Sequence, residues 1–482
     1  MAEADFTDYS LSEEILKSIR ILNYSRPTKV QEQVIPSVLG RKDVIVKSQT
    51  GSGKTAAFAI PVCQMIEWND NKPQALIITP TRELAIQVRE DIFHIGRFKR
   101  LKVAAVFGKS SFYAQEKELK QKTHVVVGTP GRIIDHLERG TFDTSNIKFL
   151  VLDEADKMLQ MGFIEQMETI IKSLPSQRVT MLLSATMPLN IKNLCDKYMT
   201  APILVEIEEK NPAADRISQE RYHVNQEDKL KLLRDVMIVE NPDSCMIFCN
   251  TKQMVDEVYN ELTKMKYACE KIHGGMEQRD RLSVMEDFRK GRFRYLVATD
   301  VAARGIDIDN ITLVVNYDVP RDSENYVHRI GRTGRVNNTG RAITFVAGNE
   351  KKFLNEIQRF TEREIPLKER PGIETVNFSK QEFDEKTSTA PEEKEAKGAQ
   401  LSKEIMKIHI NAGKKTKMRP VDIVGTLCNI EGMTAEDIGI IHVIDVSTFV
   451  EILNNKGEMV LRELQKTPIK GRLRKVKKVE KL

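Results

Sequence analysis

The chain has 482 residues, which is too long for one ordinary hydrophobic core and predicts about three domains. Its composition, 40% hydrophobic and 30% charged, with a net charge of +6, is typical of a globular protein and excludes a wholly disordered one. No apolar run approaches the ~20 residues that span a bilayer, and the opening MAEADFTDYS is too polar for a secretory signal. We therefore expect a cytoplasmic protein with no membrane association.

Two long segments alternate strand-like apolar runs with amphipathic helices, and we predict one α/β domain from each, at residues 1–208 and 216–376. Apolar strands separated by helices predict parallel sheets covered on both faces, with ligands bound beyond the carboxyl ends of the strands. The runs of the first domain are VIVK (44–47), ALIITP (75–80), VAAVFG (103–108), HVVVGTP (124–130), FLVLDEAD (149–156) and VTMLLSAT (179–186). Those of the second are MIFCNT (246–251), CEKIHGG (269–275), YLVATD (295–300), ITLVVNYDVP (311–320) and AITFVA (342–347).

The stretch SQTGSGKT (48–55) follows the first strand and precedes a helix, which is the context of a phosphate-binding P-loop. Backbone N–H groups and the helix N-terminus would cradle phosphate oxygens. Lys54 would reach the outer phosphates, and the Thr55 hydroxyl would hold Mg²⁺. Ser48 stands where the strict pattern has its first glycine. The predicted ATP-binding residues here are Ser48, Gln49, Thr50, Gly51, Ser52, Gly53, Lys54 and Thr55.

Three acids, Asp153, Glu154 and Asp156, crowd the end of the apolar strand FLVL. Repulsion and desolvation make such a cluster unfavourable unless a cation compensates it. With a P-loop upstream, Asp153 would bind the Mg²⁺ shell, Glu154 would orient and deprotonate the attacking water, and Asp156 would hydrogen-bond across the site. An acidic helix N-cap explains one acid but explains three poorly.

The third domain begins after QEFDEKTSTAPEEKEAKGAQ, and we predict a flexible linker over 377–402 and a compact unit over 403–482. The order β-α-β-β-α-β in the unit matches a ferredoxin-like fold of the RRM type. From Lys403 onwards there are 16 Lys/Arg against 10 Asp/Glu, so the whole excess of +6 lies here and indicates a polyanionic partner. Cations cluster in one loop, at Lys414, Lys415, Lys417 and Arg419.

With SQTGSGKT and LDEAD in place, the chain resembles the DEAD-box ATP-dependent RNA helicases over roughly residues 6–350. The resemblance implies two tandem RecA-like P-loop lobes that use ATP and Mg²⁺. Further matching stretches are NYSRPTKVQ (23–31), PTRELA (80–85), TPGR (129–132), SAT (184–186), TDVAARGIDI (299–308) and YVHRIGRTGR (326–335). One departure is FGKS (107–110), where the family shows a double glycine.

The family's site residues carry over onto these stretches. Tyr24 would stack on the adenine and Gln31 would read its edge, while Gly305 and Asp307 would lie near the ribose and phosphates. Arg332 and Arg335 are implied as fingers on the transferring phosphate, and Asp156, Ser184, Thr186 and His328 as the elements that couple hydrolysis to strand separation. The implied RNA contacts are Arg82, Gly131, Arg132, Thr251, Gly275, Gln278, Arg281 and Thr299.

The arrangement of motor, linker and tail is similar to the bacterial DbpA/YxiN subfamily, whose tail domain docks on large-subunit ribosomal RNA. The resemblance implies a monomeric helicase that acts on pre-ribosomal particles. The tail strands KIHINAG and STFVEIL carry one aromatic, Phe449, so base stacking on that sheet is doubtful and charge could suffice. An ATP-gated RNA clamp and a DNA helicase remain as alternatives.

Overall fold

The computed structural model describes residues 4–48, 51–207, 217–303, 311–334, 339–394, 398 and 400–479. Two lobes are built on parallel sheets, and a smaller tail domain is built on an antiparallel sheet. The α/β class and the order of the tail elements therefore agree with the sequence prediction. Within these residues, no helix has both the length and the apolar character that a membrane crossing needs.

The first lobe contains a seven-stranded parallel sheet in the order β3-β4-β2-β5-β6-β1-β7. Its strands are β1 (Val44–Lys47), β2 (Ala75–Ile78), β3 (Val103–Val106), β4 (Val125–Gly128), β5 (Phe149–Leu152), β6 (Val179–Ser184) and β7 (Ile203–Glu206). Its helices are α1 (Glu13–Ile21), α2 (Lys29–Leu39), α3 (Lys54–Met65), α4 (Arg82–Ile95), α5 (Phe112–Leu119), α6 (Pro130–Glu138), α7 (Ala155–Gln160), α8 (Ile164–Lys172) and α9 (Leu189–Tyr198).

Continuous apolar strands in this lobe follow from burial on both faces of the sheet. Successive residues Ile77 and Ile78 of β2 point to opposite faces and enter two separate hydrophobic clusters. One cluster includes Phe58 of α3, and the other includes Met158 of α7. Because the strands are parallel, their carboxyl ends meet at one edge, where the P-loop and the acids lie together.

The second lobe repeats the plan with six parallel strands in the order β10-β11-β9-β12-β13-β8. Its strands are β8 (Ile217–His223), β9 (Cys245–Cys249), β10 (Cys269–Ile272), β11 (Tyr295–Thr299), β12 (Leu313–Asn316) and β13 (Gly340–Val346). Its helices are α10 (Lys229–Glu240), α11 (Lys252–Lys264), α12 (Gln278–Arg289), α13 (Asp300–Ala303), α14 (Ser323–Ile330), α15 (Lys351–Thr361) and α16 (Ile373–Ser388).

The tail domain has a four-stranded antiparallel sheet in the order β15-β16-β14-β17, with two helices. Its elements are β14 (Met406–Ile410), α17 (Pro420–Cys428), β15 (Ile438–Val443), β16 (Thr448–Ile452), α18 (Gly457–Leu464) and β17 (Val476–Lys478). Ile408, Val450 and Val460 lie in its hydrophobic cluster, so both helices cover the same face of the sheet.

The structure differs from the predicted flexible linker over 377–388, because α16 continues through this stretch to Ser388. Phe383 of α16 is fully buried in a cluster of the second lobe that also contains Leu233 of α10. One aromatic anchor fixes an otherwise polar helix, and a search for apolar periodicity misses such a signal. The edge strands β7 and β8 were also absent from the prediction, because ILVE and ISQERYH are short or strongly polar.

Candidate nucleotide and RNA site

The P-loop lies between β1 and α3, as its sequence context predicts. Lys54 is the first residue of α3, and its Nζ donates to the carbonyl of Ser48 at 2.6 Å across the loop. The hydroxyls of Ser48 and Ser52 lie 3.0 Å apart. Gly51 and Gly53 have φ of +84° and +86°, a region where glycine has no steric penalty. The predicted residues Gln49 and Thr50 lie outside the described residues, and Thr55 is half-buried in the first turn of α3.

Gln31 is buried and tied to the P-loop itself. Its Oε1 accepts from the Thr28 N–H at 3.0 Å, and its Nε2 donates to the carbonyl of Gly53 at 3.2 Å. A Cβ at Gly53 would lie 2.7 Å from that Nε2, so the contact requires glycine there. The Gln31 amide keeps a second N–H and a second lone pair for an adenine edge, so base recognition would be linked to the loop through the same side chain. Tyr24 lies half-buried against the cluster beneath.

The three acids meet at the end of β5 with almost no exposure to solvent around Asp153 and Asp156. Burial raises the pKa of Asp153 to about 7, and the adjacent Glu154 charge adds to the rise, which Lys54 opposes. Burial also raises the pKa of Glu154. Glu154 has φ of +52°, an unusual conformation for a residue with a side chain, and such strain recurs at functional sites.

Asp156, expected to hydrogen-bond across the site, binds the SAT stretch. Its Oδ2 accepts from the N–H groups of Ala185 and Thr186 at 3.1 and 3.0 Å and from the Thr186 hydroxyl at 3.2 Å. The Ser184 hydroxyl donates to the carbonyl of Thr186, and the Ser184 carbonyl accepts from the Ser48 N–H at 3.1 Å. The acid cluster, the SAT stretch and the P-loop therefore form one hydrogen-bonded unit.

Arg332 of the second lobe lies beside this unit. Arg332 is 6% exposed, and its guanidinium, with Lys54, opposes the burial that raises the pKa of Glu154. Cations from both lobes thus act on one carboxylate. The predicted residues Arg335, Gly305 and Asp307 lie outside the described residues. His328 is half-buried in the last turn of α14.

The neighbouring Arg329 has a structural environment. It is 2% exposed and binds Asp300 at 2.5 and 2.7 Å, the carbonyl of Asp318 at 2.7 Å and the Asn250 amide oxygen at 2.9 Å. These acceptors come from three different strand ends of the second lobe. Two arginines three positions apart therefore have different environments, and the sequence alone does not separate them.

Three of the predicted RNA contacts, Arg82, Gln278 and Arg281, meet across the cleft. Arg82 donates to the Gln278 amide oxygen at 2.8 Å. The Gln278 amide donates to Glu83 at 2.9 Å, and Arg281 pairs with Glu83 at 3.0 Å. Glu83 is 8% exposed and was not predicted. The only sequence feature that could have indicated Glu83 is its position in PTRELA, between an arginine and an apolar helix face.

The other predicted RNA contacts lie at the same strand ends. Arg132, at the start of α6, donates to the carbonyl of Ser110 at 3.1 Å and to Gln115 at 2.9 Å, which fixes it against α5. Thr251 caps α11 by accepting from the Met254 N–H at 3.1 Å. Gly131 and Gly275 are exposed, and Thr299 is half-buried at the end of β11.

The cationic loop of the tail domain is exposed at Lys414, Lys415, Lys417 and Arg419, as predicted. Arg419 pairs with Asp422 at 3.3 Å. On the sheet, Phe449 lies against His409 with ring centroids 5.1 Å apart, and Lys407 lies over the same ring at 5.4 Å. The sheet thus offers a small aromatic pair, whereas the loop offers exposed positive charge.

Comparison with known families matches all three parts of the chain. Residues 28–194 match the DEAD/DEAH box helicase family, 228–337 the helicase conserved C-terminal domain and 407–478 the DbpA RNA binding domain. The chain is 54% identical to ATP-dependent RNA helicase DbpA of Bacillus subtilis over 99% of both chains. It is 44% identical to the DEAD-box helicase CshA of Geobacillus kaustophilus over 77% of this chain and 79% of the relative.

Among solved structures, Dbp5 of S. cerevisiae bound to RNA and ADP BeF3 superposes with a TM-score of 0.71. That protein is 31% identical, and the match covers 79% of this chain and 99% of the other. Dbp5 bound to Gle1 and IP6 gives a TM-score of 0.68 at 32% identity, over 80% of this chain and 99% of the other. The matched shares correspond to the two lobes without the tail domain.

Proposed function

Because this chain belongs to the DEAD-box family of ATP-dependent RNA helicases, we propose that it separates short duplexes in large-subunit ribosomal RNA during ribosome assembly. The observation that carries the choice of target is the exposed cationic loop of the tail domain, Lys414–Lys417, within the part similar to the DbpA RNA binding domain. Motor residues that grip the RNA backbone carry little sequence information, so a separate domain must select the target.

We place ATP on the P-loop, with Lys54 at the outer phosphates and Thr55 and Asp153 at Mg²⁺. The fit rests on charge, because Asp153 and Glu154 are neighbouring carboxylates beside Lys54, and burial raises the pKa of Asp153 to about 7. A divalent cation is the usual compensation for such an excess of buried negative charge. When bound, Mg²⁺ would neutralise charge on the β- and γ-phosphates.

Glu154 is the residue we assign to proton acceptance from the attacking water, and Arg332 the one we assign to the charge on the transferring phosphate. Both side chains face the same part of the site, because Arg332 lies close enough to Glu154 to oppose the rise in the pKa of Glu154. Hydrolysis thus requires a closed cleft, and an arginine finger supplies roughly 10³ to 10⁵ in rate. All of these residues come from one chain, which supports a monomer as the working unit.

RNA would couple to this site by replacing contacts between the lobes. Arg82, Gln278 and Arg281 now bind one another and Glu83, so a phosphate backbone would take over donors that lie across the cleft. The relative Dbp5, bound to RNA and ADP BeF3, supports a closed arrangement of this kind. Movement of the lobes would reach the acids through Asp156 and its three bonds to the SAT stretch.

The assignment of Glu154 is tested with Glu154→Gln in the full chain. The amide keeps the shape of the side chain but cannot accept the proton, so we expect ATP and RNA binding to persist while turnover falls at least 10³-fold. Glu165→Gln, on the exposed face of α8, is the matched control and should hydrolyse ATP as the parent does. Undiminished turnover in Glu154→Gln would refute the assignment.

Target choice is tested with Lys414→Gln and Lys415→Gln together. We expect the ATPase to lose its preference for large-subunit over small-subunit ribosomal RNA at stated salt, while stimulation by a generic RNA remains. The control pair is Lys264→Gln with Lys266→Gln, which lies at the end of α11 remote from the cleft. Equal stimulation of the parent by any RNA would refute the proposed target.

The same assays separate the alternatives. A DNA-stimulated ATPase would point to a DNA helicase. Hydrolysis without displacement of a short RNA duplex, with slow release of single-stranded RNA, would point to an ATP-gated clamp.

A further inference from the structure

The tail domain rests on the first lobe through a set of charged contacts, although its linker is rooted on the second lobe. We propose that this is a specific intramolecular docking surface, and that docking restrains the separation of the two lobes. The lobe supplies cations and the tail domain supplies acceptors. The contacts are Arg97 to Glu451 at 3.0 Å, Arg100 to the carbonyl of Ala435 at 2.8 Å, Lys102 to the carbonyl of Ile441 at 3.0 Å and Lys117 to Asp445 at 2.9 Å.

The centre of the surface is buried, which distinguishes it from a chance encounter between charged patches. Arg97 and Glu451 are 8% and 9% exposed, although both are charged. Either residue without the other would be a buried, uncompensated charge, which is strongly unfavourable. Phe93 of the same lobe lies 4.8 Å from the Arg97 guanidinium and holds it in place. The polar rim is the exposed pair Lys117 and Asp445.

The tail domain turns the outer face of its sheet towards the lobe. In β16, Val450 and Ile452 point into the core, so the alternating Glu451 points outwards. Lys102 contacts β15 on the same side, and burial, followed by the charge of Lys102, lowers the pKa of His442 there. Docking therefore covers the β15–β16 side of the face, while the cationic loop at Lys414–Lys417 stays exposed.

The connection to the second lobe makes docking a restraint on the cleft. After α16, Glu393 pairs with Arg292 at 3.1 Å, and the Lys394 N–H donates to the carbonyl of Lys290 at 2.8 Å. Four positions later Gly398 touches the first lobe so closely that a Cβ there would lie 2.7 Å from His94. Four residues can span at most about 14 Å. The lobes can therefore part on this side only until that span is reached, unless one anchor is released.

Beyond Gly398, the chain remains on the first lobe up to the docked domain. Leu401 is 2% exposed, and the turn that contains it contacts α1. The Lys394 anchor, this turn and the docked tail domain thus form one continuous connection between the second lobe and the first. Release of the domain would leave Gly398 and Leu401 as the linker's remaining contacts with the first lobe, beside the direct contacts across the cleft such as Glu83 with Arg281.

Docking is measured by energy transfer in the full chain between labels on Cys428 and on Leu189→Cys, both exposed, in the tail domain and the first lobe. We expect one high-transfer population at low salt. In Arg97→Glu with Lys117→Glu, a low-transfer population should grow at least tenfold. The control Lys120→Glu with Lys192→Glu reverses two exposed charges of the same lobe and should match the parent. A low-transfer parent, or a variant that matches it, would overturn docking.

Two further measurements distinguish a loss of docking from a loss of folding. Lys117→Glu alone affects an exposed pair, and the added Asp445→Lys should restore the parent distribution. Raising KCl from about 50 to 500 mM should release the parent domain without any substitution, because screening weakens charged contacts at the rim. If charge exchange fails to restore docking and salt has no effect, the surface is not electrostatic and the proposal fails.

The effect of docking on the width of the cleft is measured separately. With Cys428→Ser, labels on Leu189→Cys and Leu367→Cys, exposed in the first and second lobes, report the width of the cleft. In nucleotide-free protein, Arg97→Glu with Lys117→Glu should widen the distribution and increase its mean distance. An unchanged cleft in a variant whose tail domain is released would overturn the restraint. Neither outcome depends on which RNA the protein recognises.

Discussion

Glu83 of the first lobe and Arg281 of the second lobe form an ion pair of 3.0 Å across the cleft, and both side chains are largely buried. The same carboxylate accepts from the Gln278 amide at 2.9 Å. One carboxylate therefore neutralises Arg281 and occupies the Gln278 amide, two groups assigned to RNA contact. A phosphate that binds Arg281 competes with Glu83 for that charge.

We expect Glu83→Gln to raise the affinity for single-stranded RNA severalfold in the absence of ATP, because Arg281 would no longer be neutralised. The salt dependence should steepen by about one released ion, since one more cation becomes available to phosphate. Fluorescence anisotropy over a KCl series measures both. Glu90→Gln is the control, because Glu90 pairs with Arg289 at 3.6 Å between the same lobes but is 39% exposed at its side chain. Identical binding by both variants would exclude competition by Glu83.

Arg332 and Arg329 should separate catalysis from stability. Arg332→Ala removes the cation that faces Glu154, so we expect ATP turnover to fall roughly 10³-fold or more with little change in the unfolding temperature. Arg329→Ala leaves the half-buried Asp300 and the buried Asp318 carbonyl without their partner and should lower the free energy of unfolding of the second lobe by about 3–5 kcal/mol. Steady-state ATPase and thermal unfolding of both variants check this. A melting loss in Arg332→Ala equal to that in Arg329→Ala would contradict the distinction.

His124 should contribute a loss of stability to the first lobe in mild acid. Its Nδ1 accepts from the Lys102 N–H at 2.9 Å, and its Nε2 lies 3.1 Å from the carbonyl of Trp68, so the ring must be neutral. Burial lowers its pKa from 6.5 to about 4. The unfolded chain thus binds the proton more readily, and the stability contribution is complete above pH 6.5 and is lost as the pH falls towards 4.

Between pH 7 and 5, protonation of His124 in the unfolded chain should lower the free energy of unfolding by up to about 2 kcal/mol. His124→Gln, which does not titrate, should flatten the pH dependence of the unfolding temperature over this range. His223→Gln replaces an exposed histidine of the second lobe and serves as the control. A His124→Gln variant whose unfolding temperature changes with pH as the parent's does would refute the role of His124.

The sequence places the parts of the nucleotide site at the ends of predicted parallel strands, whose carboxyl ends meet at one edge of a sheet. Lys54 and Asp153 come to the same edge because β1 and β5 lie on either side of β6, and the apolar runs predict parallel strands but not this order. Asp156 was expected to hydrogen-bond across the site, and the structure identifies the SAT stretch as its partner, which the sequence did not. Such inferences use local pattern and one topological rule.

Contacts between distant parts of the chain were beyond the same reasoning. Glu83 meets its partners from a position 195 residues before Gln278, and no periodicity links the two. Arg97 appears in the sequence as one more surface cation, and only the docked domain buries it. Phe383 is the fully buried apolar residue of α16, and Val376 packs beside the same cluster, so the helix lacks the continuous stripe of apolar residues that would reveal it.

The buried charge of the acid cluster should lower the free energy of unfolding of the nucleotide-free protein. Asp153 is buried beside Glu154, and burial followed by that neighbouring charge raises its pKa to about 7. Because the folded-state value lies above the unfolded one, the stabilising contribution is present at low pH and is lost as the pH rises through 7. At pH 8 the buried carboxylate is charged and opposes folding.

Asp153→Asn removes that charge, and we expect the unfolding temperature of nucleotide-free protein at pH 8 to rise by roughly 2 to 4 °C while ATP binding is lost. The gain should shrink at pH 5, where the parent carboxyl is already neutral. Asp43→Asn is the control, because Asp43 is equally hidden but accepts from the Thr180 and Thr200 N–H groups at 2.7 Å each, so its neutralisation should lower stability. Scanning calorimetry at both pH values distinguishes the two, and a destabilised Asp153→Asn at pH 8 would show that Asp153 supports the fold as well as the site.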